Sequence, residues 1–308
     1  MKKKVSIIGA GNVGATTAQF VVQSGIADVV LFDVIEGVPQ GKALDLAEAC
    51  PIWNSSSTIK GTNRYSDTAG SDMIVITAGL ARKPGMSRSD LLHANADIVK
   101  GVCKEIAKIS PNAIIIVVTN PMDIMAQIAW KTTEFSCKRV MGMGGILDAS
   151  RLAAFLSWEL DVSPEDIEAL VLGGHGDDMV PLSRFTAVEG IPITELLPKK
   201  KIVSLIERTR NGGAEIVAHL KTGSAYYAPA AATFQMIKSI LNDERRLLPC
   251  AVYLNGEYGM KDIYMGVPVI LGKEGVEKIV EFKLSKEEKA QFRKSCSSVK
   301  TLIKKLHI

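Results

Sequence analysis

One turn constrains this chain more than any other feature. Val5-Ser6-Ile7-Ile8-Gly9-Ala10-Gly11-Asn12-Val13-Gly14 is followed, nineteen residues past Gly14, by Asp33 at the end of the run Val29-Val30-Leu31-Phe32. The spacing joins a strand, a Gly-x-Gly-x-x-Gly turn, a helix and a second strand tipped by a carboxylate. Gly9 allows the tight turn, Gly11 lets the backbone approach a pyrophosphate, and Gly14 lets helix and strand pack closely. The pyrophosphate would sit on the free amides at the positive end of the helix. A plain structural turn is the competing reading, and the flanking strand, helix and acid favour a dinucleotide site. A carboxylate at Asp33 accepts hydrogen bonds from ribose hydroxyls and repels a 2′-phosphate, and Val34-Ile35-Glu36-Gly37 supplies no cation after it, so the cofactor reads as NAD rather than NADP. The alternative role for Asp33 is capping the next helix.

The first half alternates short β-branched runs with longer helical patterns, the signature of parallel strands joined by crossover helices. Strands are expected at 5–8, 29–32, 58–61, 73–77 and 114–118, with 139–141 adding an edge. Helices are expected at 13–24, 37–49, 87–110 and 121–132. Ile114-Ile115-Ile116-Val117-Val118 is apolar on both faces, which indicates a sheet covered on both sides. A helix at 148–159 opens the second half, where 167–172, 179–183, 186–188 and 191–192 read as antiparallel strands and turns. Long helices at 199–220 and 228–241, strands at 247–254 and 263–271, and a terminal helix from Ser285 complete it. The fold class is therefore α/β: a doubly wound Rossmann sheet over 1–145, followed by an α+β substrate-binding and catalytic domain over 146–308. At 308 residues each lobe can hold its own core.

Composition excludes several classes. Hydrophobic content of 47% with 23% charged residues is that of a globular protein, not a disordered one. The net charge is only +4, and the basic runs Lys2-Lys3-Lys4 and Lys199-Lys200-Lys201 lack interleaved aromatics, so nucleic acid is not indicated. The five cysteines are far apart and without C-x-x-C spacing, so they read as reduced core thiols, with no metal site. A first strand beginning at residue 4 or 5 leaves no room for a signal peptide, and no apolar run approaches the roughly 20 residues of a membrane span, so a cytoplasmic location is expected.

Between the strand at 73–77 and the helix near Ser87 lies Ala78-Gly79-Leu80-Ala81-Arg82-Lys83-Pro84-Gly85-Met86, a basic loop between glycines after the carboxyl end of a parallel strand. That is where ligands bind in such sheets, and the composition suggests a lid. Farther on, Gly173-Gly174-His175-Gly176-Asp177 places one of the four histidines in a glycine-lined loop, and Leu147-Asp148-Ala149-Ser150-Arg151 offers a carboxylate upstream. An imidazole paired with a buried carboxylate is a general base with a fixed tautomer and a pKa near neutrality. Taken singly, His175 could be structural, Asp148 a helix cap, the arginines surface ion pairs and Asn120-Pro121 a turn.

Several motifs in order carry a resemblance over the whole chain: Gly9-Ala10-Gly11-Asn12-Val13-Gly14, Thr77-Ala78-Gly79, Thr119-Asn120-Pro121, Leu147 to Arg151, Gly174-His175-Gly176 and Tyr226-Tyr227-Ala228-Pro229. The chain resembles the L-lactate/L-malate dehydrogenase family, most of all its bacterial malate dehydrogenases of the lactate-dehydrogenase-like type. The resemblance implies reversible NAD-dependent oxidation of (S)-malate to oxaloacetate. His175 would exchange the hydroxyl proton, Asp148 would hold His175, and Arg151 would fork onto the C1 carboxylate. Arg88 would polarise the reacting carbonyl and Asn120 would bond the reacting oxygen or the cofactor. Gly9, Gly11, Asn12, Val13, Gly14, Asp33, Thr77, Gly79, Asn95, Val118 and Asn120 would bind NAD. Arg82 can pair with a second carboxylate, where lactate enzymes carry an amide, and Ser224 would line the pocket where they tend to have threonine. Ala153 and Glu168 replace the arginine and histidine with which some lactate dehydrogenases bind a sugar bisphosphate, so that activation is not expected. The alternatives are an L-lactate or broader 2-hydroxy-acid dehydrogenase, or a non-catalytic NAD(H) sensor. The resemblance further implies a homodimer or homotetramer with a small-molecule substrate and no membrane partner.

Overall fold

A computed structural model describes residues 2–80 and 88–306, except the Arg88 side chain. Arg82 and most of the expected lid lie outside the described residues. The first half runs β1 (Lys3–Ile8), α1 (Asn12–Ser24), β2 (Ala27–Phe32), α2 (Val38–Ala49), β3 (Ile59–Thr62), β4 (Met73–Ile76), α3 (Arg88–Ile109), β5 (Ile114–Val117), α4 (Met122–Thr133) and β6 (Val140–Gly142). The second half continues with α5 (Gly145–Leu160), β7 (Ile167–Glu168), β8 (Val171–Leu172), β9 (Val180–Pro181), β10 (Ala187–Val188), β11 (Ile191–Pro192), α6 (Ile193–Leu196) and α7 (Lys199–Leu220). It ends with α8 (Tyr227–Leu241), β12 (Arg246–Asn255), β13 (Lys261–Gly272), β14 (Gly275–Ile279) and α9 (Lys286–Lys305).

Strands β3-β2-β1-β4-β5-β6 are parallel neighbours in that order, the arrangement of a dinucleotide-binding Rossmann sheet. Every residue of β4 and β5 is buried, because crossover helices cover both faces of the sheet. The chain reverses strand order between β1 and β4. The register there pairs Ile8 with Ile76, so the residues just past both strands, Gly9 and Thr77, share one crevice. Ligands bind at this switch point in open parallel sheets.

Three expectations are corrected. The segment expected as an edge, 139–141, forms β6, which is interior: Gly142 pairs with Ala251 of β12, and the sheet continues through β13 to β14. The strand β14 was not foreseen; its Gly275-Val276-Glu277-Lys278-Ile279 is short and half polar, yet it pairs with β13. The segment 167–172 is two strands in two small sheets, because its middle, Ala169-Leu170, belongs to neither and the chain changes partners there. The lobes also do not keep wholly separate cores. One buried cluster runs from Val5 and Ile76 through Val252 and Val267 to Ile303, with a smaller one around Leu152, Leu156 and Leu205.

Helix α9 matters to the site because it places Ser295 beneath the His175 loop. Its start is set locally: Ser285 Oγ accepts from the Glu288 amide (3.2 Å) and the Glu288 carboxylate accepts from the Ser285 amide (2.7 Å), a reciprocal capping box. Glu288 also binds Arg184 at 2.8 Å. Ser285→Ala is expected to lower unfolding stability by about 1 kcal/mol while leaving NADH affinity unchanged. Chemical denaturation and NADH titration check this, and an unmoved midpoint would show that the cap contributes nothing.

Candidate active site

The turn after β1 is built from contacts only glycine permits. Gly9 has φ +113°, and a Cβ there would lie 2.7 Å from the Ala78 amide nitrogen. A Cβ at Gly14 would run into the Gly9 carbonyl, which accepts a 2.9 Å bond from Thr77 Oγ1. Gly11 differs: a Cβ there would meet no protein atom within 4 Å, so it borders open space. Asn12 and Val13 open α1, whose first turn has neither a side-chain cap nor an acidic residue, leaving its amides unclaimed for an anion. Asp33 reaches back from the end of β2, with Oδ2 accepting from the Ala10 amide (2.7 Å) and Oδ1 from the Ile35 amide (3.0 Å). A carboxylate has about four acceptor sites, so two remain for ribose hydroxyls. Lys42 Nζ, which the sequence did not single out, donates to the Ala10 carbonyl at 2.8 Å and pins the same residue through its next peptide unit.

At the carboxyl ends of β4 and β5, a buried amide ties two loops together. Asn95 Oδ1 accepts from the Leu80 amide and its Nδ2 donates to the Asn120 carbonyl, both at 2.8 Å. Thr119 Oγ1 donates to the Ala78 carbonyl at 2.7 Å. Gly79 fits between Thr119 and Asn95, and Val118 is buried. Thr77, Gly79, Asn95, Val118 and Asn120 are therefore neighbours. The polar atoms of Thr77 and Asn95 serve to brace the crevice, and Asn120 is exposed at its rim.

His175 enters from the loop after β8, with its Cβ 3.2 Å from the Cβ position of Gly144, the cap of α5. Its Nδ1 lies 2.8 Å from Asp148 Oδ2. The carboxylate only accepts, so Nδ1 carries the hydrogen and Nε2 is left for acid–base exchange. Asp148 is not a helix cap: α5 begins at Gly145, which puts Asp148 inside the first turn and 1% exposed. Arg151, one turn on, approaches Asp148 Oδ1 at 3.5 Å. Burial opposes the imidazolium, but the charge of Asp148, its hydrogen bond and the charge of Asp123 outweigh that and raise the His175 pKa. Burial lowers the Arg151 pKa, with Asp148 working against it. Arg151 Nε is buried without a hydrogen-bond partner among the described residues, and a planar guanidinium with free donors suits a carboxylate ligand.

The structure adds a residue the sequence reading missed. Three successive amides of the His175 loop are each held by a different element. Gly173 donates to Gly266 O of β13 (2.9 Å), Gly174 to Ser295 Oγ of α9 (2.9 Å) and His175 to Asp123 Oδ2 of α4 (2.9 Å). Asp123 is 4% exposed, and burial pushes its pKa up to about 6 against the hydrogen bond and charge of His175. The signal was an acid in the first turn of a helix whose first half is mostly apolar. Ser224 is exposed in the connection between α7 and α8, and Arg82 and the Arg88 side chain lie outside the described residues.

Comparison with known proteins meets this geometry. Residues 3–142 match the family model for the lactate/malate dehydrogenase NAD binding domain, and residues 146–307 match that for the lactate/malate dehydrogenase alpha/beta C-terminal domain. The chain belongs to the lactate/malate dehydrogenase family. It is 55% identical to a malate dehydrogenase of Heliobacterium modesticaldum over 98% of each chain. It superposes on the apo malate dehydrogenase of Picrophilus torridus with a TM-score of 0.97 at 47% identity, covering 100% of this chain and 98% of that one. A lactate dehydrogenase of Cryptosporidium parvum, solved with lactic acid and NAD, has a TM-score of 0.96 at 40% identity, covering 100% and 98%. The family's first domain binds NAD, and the crevice between β1 and β4 has the open Gly11 edge and free helix amides that this cofactor requires.

Gly11 and Gly14 separate binding from folding. Gly11→Ala, at φ −66°, is expected to leave the melting temperature unchanged while weakening NADH at least tenfold, about 1.4 kcal/mol. Gly14→Ala is expected to lower both. Thermal unfolding and NADH fluorescence titration decide. Parental affinity in Gly11→Ala would mean the pyrophosphate does not lie on this turn.

Proposed function

We propose that the chain catalyses the reversible NAD-dependent oxidation of (S)-malate to oxaloacetate, with the dinucleotide-binding half at 1–145 and the substrate half at 146–308. The observation that carries the chemistry is the His175–Asp148–Arg151 cluster, in which one buried carboxylate orders both an acid–base imidazole and a carboxylate-binding guanidinium. Malate is favoured over lactate because the malate dehydrogenase of H. modesticaldum is 55% identical and the lactate dehydrogenase of C. parvum 40%. Arg82 agrees with this, since a second guanidinium suits a diacid.

NAD held in the crevice between β1 and β4 would supply the acceptor for the hydrogen on C2 of the substrate and its electron pair. His175 Nε2 takes the hydroxyl proton as the carbonyl forms, and Asp148 stabilises the resulting imidazolium. Arg151 holds the C1 carboxylate bidentately and sets the orientation of C2. Arg88 stabilises negative charge on the reacting oxygen, Arg82 pairs with the C4 carboxylate, Asn120 bonds the reacting oxygen or the cofactor, and Ser224 lines the pocket. The chain works as a cytoplasmic homodimer or homotetramer.

NADH oxidation with oxaloacetate should far exceed that with pyruvate. Arg82→Gln should cost oxaloacetate about 3 kcal/mol of transition-state stabilisation without altering NADH binding. A preference for oxaloacetate kept within about threefold in that variant would remove Arg82 as the discriminator, and a parental preference for pyruvate would overturn the malate reading.

The raised pKa of His175 fixes the sign of the pH dependence. Malate oxidation needs the imidazole neutral, so kcat/KM should rise with pH through a midpoint above 6.5, the ordinary histidine value. Oxaloacetate reduction needs it protonated and should fall through the same midpoint. Asp148→Asn removes the charge that favours the imidazolium, so both limbs should move to lower pH. Limbs of the same sign in the two directions, or an unshifted variant, would exclude His175 and Asp148 as the pair.

A further inference from the structure

The Asp123 carboxylate lies outside every role assigned above. It stands one turn past Asn120, at the start of α4, and is buried at 4% exposure. One oxygen accepts from the His175 amide at 2.9 Å, and the other, Oδ1, is buried without a hydrogen-bond partner among the described residues. A carboxylate in such a position is costly, since an isolated buried charge loses its hydration. The helix start offsets part of that cost, because negative charge is favoured at a helix N-terminus. A helix cap alone would not need the oxygen to reach into the loop of another half of the molecule. The neighbouring amide, on Gly174, is served by the neutral hydroxyl of Ser295. A neutral acceptor therefore suffices for loop geometry at the adjacent peptide, yet a charged one is used at His175 itself.

We propose that Asp123 is a positioning residue for the acid–base histidine, its buried carboxylate holding the His175 main chain while placing a second negative charge beneath the imidazole. The proposal rests on the reading of His175 as the proton-exchanging group. Asp148 then orders the ring through Nδ1, and Asp123 orders the peptide that carries it. Because α4 begins just after Asn120, the same short segment also links the cofactor crevice to the histidine.

Among the described residues the charges around this pair are few. His175 is faced by Asp148 and Arg151 from α5 and by Asp123 from α4. Asp123 is faced by His175 and Asp148, and from α9 by Cys296, whose thiol is pushed up to about 12 by burial and so stays neutral, with Lys300 near it. Among the charges of the described residues, Asp148 and Asp123 favour the imidazolium and Arg151 opposes it, as does burial. Asp123, with its pKa raised to about 6, is mostly ionised at neutral pH. Its charge is present at neutral pH and fades in mild acid.

Two variants separate the two parts of the role. Asp123→Asn keeps an acceptor for the His175 amide but removes the charge, whereas Asp123→Ala removes both. The His175 midpoint is read by NMR titration of the imidazole in the full-length protein without substrate, with His175→Gln assigning the signal among the four histidines. Asp123→Asn is expected to lower that midpoint and to lose far less kcat than Asp123→Ala. Asp123→Ala is expected to lose about 100-fold in kcat, the scale of a misplaced catalytic group, with KM for NADH within twofold. An unchanged midpoint in Asp123→Asn overturns the electrostatic part, and parental turnover in Asp123→Ala overturns the positioning part. Should Asp123→Ala fail to fold, the Asn variant and its titration still decide. The titration needs no substrate, so it can succeed or fail independently of whether malate is the acid oxidised.

Discussion

The buried carboxylate of Asp148 is the point on which the rest of the site depends. It accepts from His175 Nδ1 at 2.8 Å and faces Arg151 at 3.5 Å while itself 1% exposed. A buried anion is tolerated only when paired, and its partners here are the two side chains to which the proposed reaction assigns proton exchange and carboxylate binding. The arrangement works in both directions. Asp148 fixes the tautomer that leaves Nε2 free, and Arg151 keeps donors unspent for an incoming anion because Asp148 engages it only loosely. Removing this one carboxylate would strand a buried guanidinium and release the imidazole together.

That cluster is held in place by a sheet that does not stop at the boundary between the two halves. Strand β6 carries the parallel sheet into β12, β13 and β14 through the pairing of Gly142 with Ala251. Gly142 has no room for a side chain, since a Cβ would collide with Met122. The close approach puts the start of α4, the start of α5 and the His175 loop against one another. Bond by bond, β13, α9 and α4 then take up the amides of Gly173, Gly174 and His175. A loop with three successive backbone donors held by separate rigid elements has little freedom to move there, which suits the proton-exchanging role proposed for His175.

Much of this was readable along the chain. The Gly9–Gly14 turn and Asp33 specify a dinucleotide crevice because backbone approach and ribose recognition need those residue types at those distances. The alternation of β-branched runs with helices predicts the parallel sheet. His175 and Asp148 were legible as a pair from residue type and from the resemblance, though not as a geometry. The misreadings share a cause. Residues 139–141 look like an edge because β6 is short and its second neighbour, β12, comes more than 100 residues later. The strand β14 is too short and polar to show a period, and the split at 167–172 reflects a change of partner that local composition does not encode.

Local sequence therefore determined most of the elements, the glycine turn after β1 and the acid at the end of β2, since each depends on spacing within a few turns or strands. Tertiary structure decided what those residues touch. That Thr77 and Asn95 spend their polar atoms bracing the crevice, that Asp148 lies within a helix rather than capping it, and that Asp123 supports His175 all depend on contacts between segments far apart in sequence. Such contacts arise from which faces pack and which strands pair across the whole chain. No periodicity in a single segment carries that information, because burial is a property of the assembled core.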